Sequence, residues 1–452
     1  MKLRLIIGWL LVLSLVAAIG YAQEPAARRL SLAEALEIAR GNNPDYRSTL
    51  NDREAAARQL TSSTLSLFTP TADINGSTYT SQAGERSFSG ITFTAPGVTR
   101  SSWSLGVGYR LSGATIADRG LSRASLHATD ADISGARTLL ETSVRQQYLN
   151  VLQAQAQVAL AQHVLERSME TLNLAQARNS VGQATLIEVR RAEVEKGRAE
   201  VGVLRARQTV ENAVLMLFGR LGVPAPSPVR VVLTDSFPVQ QPTLVAENLV
   251  TMALSENPLL LALRARERAA GWRVRSAYSQ YLPSLMVQAG YGKYRQSSSM
   301  QVNDSVTGLP TGQTLRQTTT GVEPWSLSLG VSLPLFDGFQ RGVATAQARA
   351  GQEDLRLGIR SRELAVRADV TAAHSALLTA FETIGLQQRN KGASAEALTL
   401  ATERYRVGSG TFIELLDARV AAEQADADYV TAVFEYHKAF AALENAVGRP
   451  LR

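Results

Sequence analysis

The chain has 452 residues, 45% hydrophobic and 19% charged, which suits two or three ordinary domains and excludes intrinsic disorder. It contains no cysteine, so disulfides, thiolate metal sites, cysteine nucleophiles and an N-terminal lipidated cysteine are all excluded. The formal net charge of +7 is spread along the chain and does not point to nucleic acid.

Lys2 and Arg4 precede an apolar run from Leu5 to Ala18, followed by the small residues Gly20 and Ala22. This pattern predicts a signal peptide over 1–22, since the run is short for ~30 Å of hydrocarbon. A short helix is expected over Ser31–Pro44, then a longer one ending near Pro70. A strand near 72–82, a polar loop at 83–100 and a strand at 101–112 follow. In the last, Trp103, Leu105, Val107, Tyr109 and Leu111 alternate with Ser102, Ser104, Gly106, Gly108 and Arg110. Period two marks a strand with one apolar face and one small, polar face. A soluble half-buried sheet alternates in the same way, but the length suits the ~9–11 residues that cross a bilayer.

From Ala114 to Asn179 there is no proline, and Val144, Val151, Val158, Leu165 and Leu172 recur every seven residues beside Tyr148 and Met169. Sustained heptads predict coiled-coil packing of a helix ~98 Å long at ~1.5 Å per residue. A turn at 181–184 (Val181, Gly182, Ala184) reverses the chain. Thr185 is placed to cap the returning helix, with Glu188 completing a capping box.

The plan then repeats. Ser31–Pro44 returns as Leu244–Pro258, Phe68-Thr69-Pro70 as Tyr281-Leu282-Pro283, and Trp103-Ser104-Leu105 as Trp325-Ser326-Leu327. Arg119-Gly120 returns as Arg341-Gly342, Val181–Glu188 as Val407–Glu414, and Gly222-Val223-Pro224 as Gly448-Arg449-Pro450. The ordered series, with an offset drifting from 214 to 226, divides the chain into repeats at 23–230 and 231–452. The second repeat predicts strands at 284–295 and 324–335 around a polar loop at 296–323. A long helix follows from Phe339 to Val407, its row Val370, Leu377, Ile384 and Leu398 broken at Lys391. The turn at 407–410 carries Val407, Gly408 and Gly410, with Thr411 and Glu414 as the second capping pair.

Tyr79, Trp103, Tyr291, Tyr294 and Trp325 read as membrane-interface aromatics near strand ends. Four strands cannot close a barrel, and a lipid-facing open edge leaves backbone groups unpaired, so oligomerisation must close it. The expected fold class is mainly α with a membrane β-barrel and two internal structural repeats. His127, His163, His374 and His437 are scattered without metal-ligand spacing, and no Gly-rich phosphate loop follows a strand. Neither enzyme chemistry, a cofactor nor a metal site is expected, and His374 falls on the packing row that holds Tyr148 in the first repeat.

The leader, the doubled plan, the paired strands and the hairpins ending in Val-Gly-x-x-Thr together resemble the TolC family of outer-membrane efflux proteins. Tyr405–Asp417 is similar to that family's second hairpin tip, and Leu333–Gly338 to its strand-to-helix junction. The resemblance implies a homotrimer in the outer membrane of a Gram-negative bacterium, with a twelve-stranded barrel and a coiled-coil tunnel through the periplasm. It implies the exit duct of a tripartite efflux or type I secretion system, with a periplasmic adaptor and an inner-membrane RND or ABC transporter as partners. Family members export drugs, metals, dyes or polypeptides, which the fold does not separate.

The resemblance also implies an acidic periplasmic gate at Glu414 and Asp417. Tyr405 and Arg406 beside it are candidates for tethering neighbouring hairpins, and Val181, Gly182, Ala184, Thr185, Val407, Gly408, Gly410 and Thr411 in the two turns are candidates for adaptor docking. On spacing alone, a solvated helix face with a capping glutamate and two simple chain reversals explains the same residues. The first-repeat junction Leu111–Ile116 departs from the family pattern, and there is no lipid-anchor cysteine. The alternative from another class is a trimeric coiled-coil structural or adhesion protein without transport. A general diffusion porin fits poorly, because it needs more strands per chain.

Overall fold

The computed structural model describes residues 28–88, 91–229, 231–235, 237–303 and 310–451. The expected leader at 1–22 lies outside them. In chain order the elements are β1 (Arg28–Leu30), α1 (Leu32–Asn42), α2 (Pro44–Leu65), β2 (Thr71–Ser81), β3 (Gly84–Phe88), β4 (Ile91–Ala95) and β5 (Gly97–Leu111). The hairpin α3 (Gly113–Ser180) and α4 (Leu186–Leu221) follows, then β6 (Val231–Leu233), α5 (Ala246–Glu256) and α6 (Pro258–Ser279). The chain ends with β7 (Ser284–Asn303), β8 (Pro310–Ser332), α7 (Gln340–Arg406) and α8 (Phe412–Val447). The repeats match in length: 11 residues in α1 and α5, 22 in α2 and α6, 68 and 67 in α3 and α7, and 36 in α4 and α8.

The described residues form two compact units. The first takes the chain to Leu50, Asp132–Leu260 and the residues from Arg362 on; the second takes Asn51–Ala131 and Leu261–Ser361.

In the first unit the Asn-Pro and Gly motifs of the two repeats explain each other. Pro44 and Pro258 start α2 and α6 and push Asn43 and Asn257 into extended backbone. Asn43 Nδ2 then donates to the Arg220 carbonyl at 2.9 Å, and Asn257 Nδ2 to the Ala446 carbonyl at 3.1 Å. Those carbonyls belong to the last turns of α4 and α8, which stop at Gly222 (φ 75°) and Gly448 (φ 91°). A Cβ on Gly222 would lie 2.5 Å from the Asn42 carbonyl oxygen, and one on Gly448 2.9 Å from Asn257 Cα.

The heptad rows are buried where α1 and α5 dock. Leu30, Val144, Tyr148, Val151, Leu217 and Phe218 form one core; Leu249, Val366, Val370, Leu377, Tyr436 and Leu443 form its counterpart. Tyr148 donates to the Leu30 carbonyl at 2.9 Å, and His374 Nε2 lies 2.9 Å from the Leu244 carbonyl, the equivalent atoms of the two repeats. Two short parallel strands, β1 and β6, close the first core, a pairing the sequence did not announce. Met169, placed on a packing row by its spacing, is 45% exposed.

The second unit holds a four-stranded antiparallel sheet in the order β2-β5-β7-β8, with β3 and β4 as a separate hairpin. Its register pairs Trp103 with Gly76 and Lys293, Leu105 with Ile74 and Tyr291, and Ala289 with Leu327. One face therefore carries Ile74, Trp103, Leu105, Val107, Val287, Tyr291, Leu327, Leu329 and Val331. The other carries Asp73, Asn75, Ser104, Gly106, Gly108, Gln288, Gly290 and Ser326.

The loops expected at 83–100 and 296–323 are largely strand: β3, β4 and the start of β5 occupy the first, and β7 and β8 run deep into the second. Residues 89–90 and 304–309 lie outside the described residues. The polar composition marked exposure, not irregular backbone. Ser and Thr hydroxyls bond across these strands, as in Thr80 with Thr99 at 3.4 Å and Ser298 Oγ donating to the Gln317 carbonyl at 3.5 Å. At the other end β8 stops at Ser332 rather than 335, because Pro334 has no N–H for the ladder.

Candidate functional site at the hairpin tips

Both hairpins turn through a left-handed glycine, Gly182 (φ 75°) and Gly408 (φ 84°), and both returning helices begin with a complete capping box. Thr185 Oγ1 accepts from the Glu188 N–H at 3.3 Å, and Thr411 Oγ1 from the Glu414 N–H at 3.2 Å. The carboxylates return the bond to the N–H groups of Thr185 and Thr411, each at 3.3 Å. Val181, Gly182, Ala184, Thr185, Val407, Gly408, Gly410 and Thr411 thus form two compact turns, with Val181 and Val407 exposed. Gly410 has a steric reason to be glycine, since a Cβ there would meet Arg404 Cβ at 3.0 Å.

The tips share a small core of Ala175, Val189, Ala192, Tyr405, Phe412 and Leu415. Tyr405 is buried in it, with its ring 5.6 Å from Phe412, and its hydroxyl crosses to the first hairpin to donate to Glu188 Oε2 at 2.8 Å. Arg178, in the last turn of α3, lays its guanidinium over the Tyr405 ring at 4.3 Å. It also donates to the carbonyls of Tyr405 and Gln183.

Burial pushes the Tyr405 hydroxyl up to about 12, reinforced by the Glu188 carboxylate. Burial also raises Glu188, but the Tyr405 hydroxyl, the Thr185 N–H and hydroxyl and the Arg178 charge outweigh it. They hold the carboxyl below the usual range.

Of the expected gate residues, Glu414 is occupied by its capping box and lies 3.7 Å from Arg404, while Asp417 stands exposed one turn further along α8. Arg406 pairs at 2.8 Å with Glu403 on its own helix. The bridging cation is Arg178, which the sequence reading missed. The repeat could have found it: Arg178 stands three residues before Val181 as Arg404 does before Val407, and Arg404 reaches back to the Ser409 carbonyl of its turn in the same way.

Further along the same helices, a second polar cluster joins the hairpins. Buried Arg419 of α8 pairs with Glu195 of α4 at 3.2 Å and lies 3.3 Å from Glu423. Asp426 receives Arg167 of α3 at 3.0 Å and Lys391 of α7 at 3.1 Å. Lys391, which broke the heptad row, is there for this partner. Burial drives the Glu423 carboxyl above its ordinary value, with Glu195 and Asp426 adding to the push against the pull of Arg419 and Arg167.

The expected interface aromatics do not share one face. Trp103, Tyr291 and Trp325 lie on the apolar face, Trp103 and Tyr291 in edge contact at 5.9 Å. Register places Tyr79 opposite Arg100 and Tyr294 opposite Ser102, on the polar face, where Arg100 stacks on Tyr294 at 4.4 Å. All five sit within a few residue levels of one another: Tyr79 lies two residues from the end of β2, and the other four stand well inside their strands.

The outer membrane efflux protein family model matches twice, over residues 35–223 and 249–449. The chain belongs to this family. The outer membrane protein TolC of Vibrio cholerae is similar at 26% identity, over 92% of this chain and 90% of its own length. The outer membrane protein VceC of the same species superposes with a TM-score of 0.72 at 18% identity, covering 93% of this chain and 97% of its own. The open-state MtrE outer membrane channel of Neisseria gonorrhoeae gives 0.70 at 21% identity, over 93% and 89%. As a member of this family the protein resides in the outer membrane. Among the described residues no helix is long and apolar enough to cross a membrane.

Proposed function

We propose that the protein is the outer-membrane exit duct of a tripartite efflux or type I secretion system, working as a homotrimer. The observation that carries this is the sheet: one face apolar, the other of glycine and small polar residues, with edges β2 and β8 unpaired among the described residues. In lipid such edges must be closed, and three copies would close them as a twelve-stranded barrel with the small, polar face lining the passage. Trp103, Tyr291 and Trp325 are then the interface aromatics.

Two exposed heptad stripes support the same assembly. Ile187, Val194, Val201 and Leu215 recur on α4, and Val343, Leu357, Leu364 and Leu378 on α7. Helix seams between subunits would bury both. At the tips, Glu414 and Asp417 from three copies would form a ring of carboxylates that favours cations and narrows the passage. The exposed turns at Val181–Thr185 and Val407–Thr411 are the docking points for a periplasmic adaptor, which joins the duct to an inner-membrane pump. Relatives named for pyoverdine export, alkaline protease secretion and cobalt-zinc-cadmium resistance match this chain at 26%, 26% and 22% identity. Such a spread supports a duct whose cargo is chosen by the pump.

The test is the particle mass and single-channel conductance of protein extracted from outer membranes. Three chains per particle are expected, conducting little until Glu414→Ala and Asp417→Ala open the tip. A particle that never conducts, with or without these substitutions, would leave the structural reading in its place.

A further inference from the structure

The charges of the four-stranded sheet are sorted by face. Arg100 and Arg110 lie on the polar face, Arg100 level with Tyr79 and Arg110 level with Met286. The two acids of these strands, Asp73 and Glu323, lie there as well. Asp73 is level with Gly106 and Glu323 with Gly292, and Glu323 holds Arg100 at 3.0 Å. Three further cations stand on the opposite, apolar face. Register sets Lys293 between Trp103 and Val322, Arg295 between Ser101 and Thr320, and Arg316 beside Ser299. All three are exposed, and no acid of the four strands shares their face.

Their level along the strands is equally particular. On β7 the apolar face runs through Leu285, Val287, Ala289 and Tyr291, and its first charge is Lys293. Leu285 to Lys293 spans ~26 Å of strand, which a ~40° tilt reduces to ~20 Å, close to the ~25 Å apolar band of membrane barrels. A cation on the lipid side is costly inside that band and nearly free at its rim. The cations therefore begin where the hydrocarbon ends, at the end of the sheet away from α3 and α7. A shallow groove of about 490 Å³ opens here, lined on this face by Gly76, Thr78, Ser101, Trp103, Lys293 and Arg295. Nothing lies within 4 Å of a Cβ on Gly76, which keeps the floor open. Lys293 and Arg295 stand on β7, an inner strand, clear of the hydrogen-bonding edges through which copies would join.

Two neighbouring cations without a counter-carboxylate call for an anion, and the lysine point charge beside the arginine fork suits phosphate. The Thr78 and Ser101 hydroxyls, 3.2 Å apart, add donors and acceptors for a hydroxylated ligand. Below them Trp103, Leu105 and Val107 continue as exposed apolar surface. An amphiphile with a phosphorylated, hydroxyl-bearing headgroup and acyl chains fits that order, and the outer leaflet of a Gram-negative outer membrane is built of phosphorylated glycolipid. We propose that Lys293 and Arg295, with Arg316 beyond them, bind the phosphorylated sugar headgroup of an outer-leaflet glycolipid whose acyl chains lie along Trp103, Leu105 and Val107. The inference rests on the lipid-facing reading of the sheet.

The full chain, extracted from outer membranes in mild detergent and stripped of lipid, is titrated with diphosphorylated lipid A, and bound adducts are measured by native mass spectrometry. Binding should weaken about tenfold when Lys293→Ala and Arg295→Ala are combined. Arg100→Ala, which removes a cation from the other face, should leave it unchanged. Undiminished binding by the double variant would overturn the site. Equally tight binding of phosphatidylglycerol would overturn it too, as a charged rim without a sugar site, and so would displacement by inorganic phosphate. Because the chain has no cysteine, Leu329→Cys accepts a single fluorescent label within β8. In vesicles of brominated-chain lipid, quenching of that label alongside unchanged lipid A binding by the double variant would remove the site and leave the sheet reading intact. Absence of quenching would instead remove the sheet reading on which the site rests.

Discussion

Tyr405 joins two parts of the chain that the turns alone would leave independent: its ring packs in the second hairpin and its hydroxyl reaches the first. Tyr405→Phe should keep the packing and lose one hydrogen bond, about 1 kcal/mol of stability. If the tether holds the tip shut, the same change should raise closed-state conductance; an unchanged channel would sink that role. The pH dependence follows from the two shifts. Glu188 is held below the carboxylate range, so its contribution is present above the ordinary value of about 4.3 and is lost as pH falls through the lowered one. Tyr405 is raised to about 12, so its contribution is present below the usual tyrosine value and lost only as pH rises through about 12. Thermal stability of the tip should therefore be flat from about pH 5 to about pH 10 and fall outside that window. Phe339 offers a contrasting case, since it holds a φ of 68°: Phe339→Gly removes the positive-φ strain and should stabilise the fold by about 1 kcal/mol in a melting experiment.

Helix endings and helix-to-helix contacts separate two kinds of glycine and two kinds of charge. Gly182 and Gly222 share a φ of 75°, but nothing lies within 4 Å of a Cβ on the first, while the second meets the backbone of Asn42. Gly182→Ala should cost about 1 kcal/mol, the strain of the left-handed conformation alone. Gly222→Ala should cost more than about 2 kcal/mol, because the α1–α2 corner must also move. Equal losses in thermal unfolding would contradict the contact. In the Arg419 cluster, Arg419→Leu takes the cation away from Glu423 and leaves Glu195 with Arg198 alone, and should cost about 3 kcal/mol. Glu423→Gln should be neutral or stabilising at pH 7. The Glu423 carboxyl is raised, so its favourable contribution is present at acid pH and is lost as pH rises through the raised value.

For the whole molecule, the exposed heptads on α4 and α7 make association the dominant remaining source of burial. Ile187→Glu with Val194→Glu places charge on the α4 stripe without touching a buried side chain of the chain itself. The expected outcome is a smaller particle by mass measurement with helical content retained. A full-size trimer would show that the seam lies elsewhere. The same logic explains why one chain can leave two sheet edges free: the open edges and the open stripes are complementary problems with one solution, association of copies.

The doubled plan, the four main strands and the helix hairpins were legible in the sequence because each depends on residues close together in the chain. Asn-Pro and Gly punctuation, seven-residue spacing and period-two alternation act over a turn or two of backbone. The capping boxes at Thr185 and Thr411 are the clearest example, since donor and acceptor stand three residues apart. The remainder depended on register and on distant partners. Composition suggested loops where Ser and Thr in fact pair across strands, because polarity reports exposure and not backbone order. Tyr79 and Tyr294 fall on the polar face because a strand's period is two, so one residue of register reverses the side on which a ring lies. The partner of Tyr405 stands 217 residues away, and Lys391 meets an aspartate on another helix. No local pattern encodes such pairs: they exist only once long helices lie side by side, and burial then selects which charges must meet.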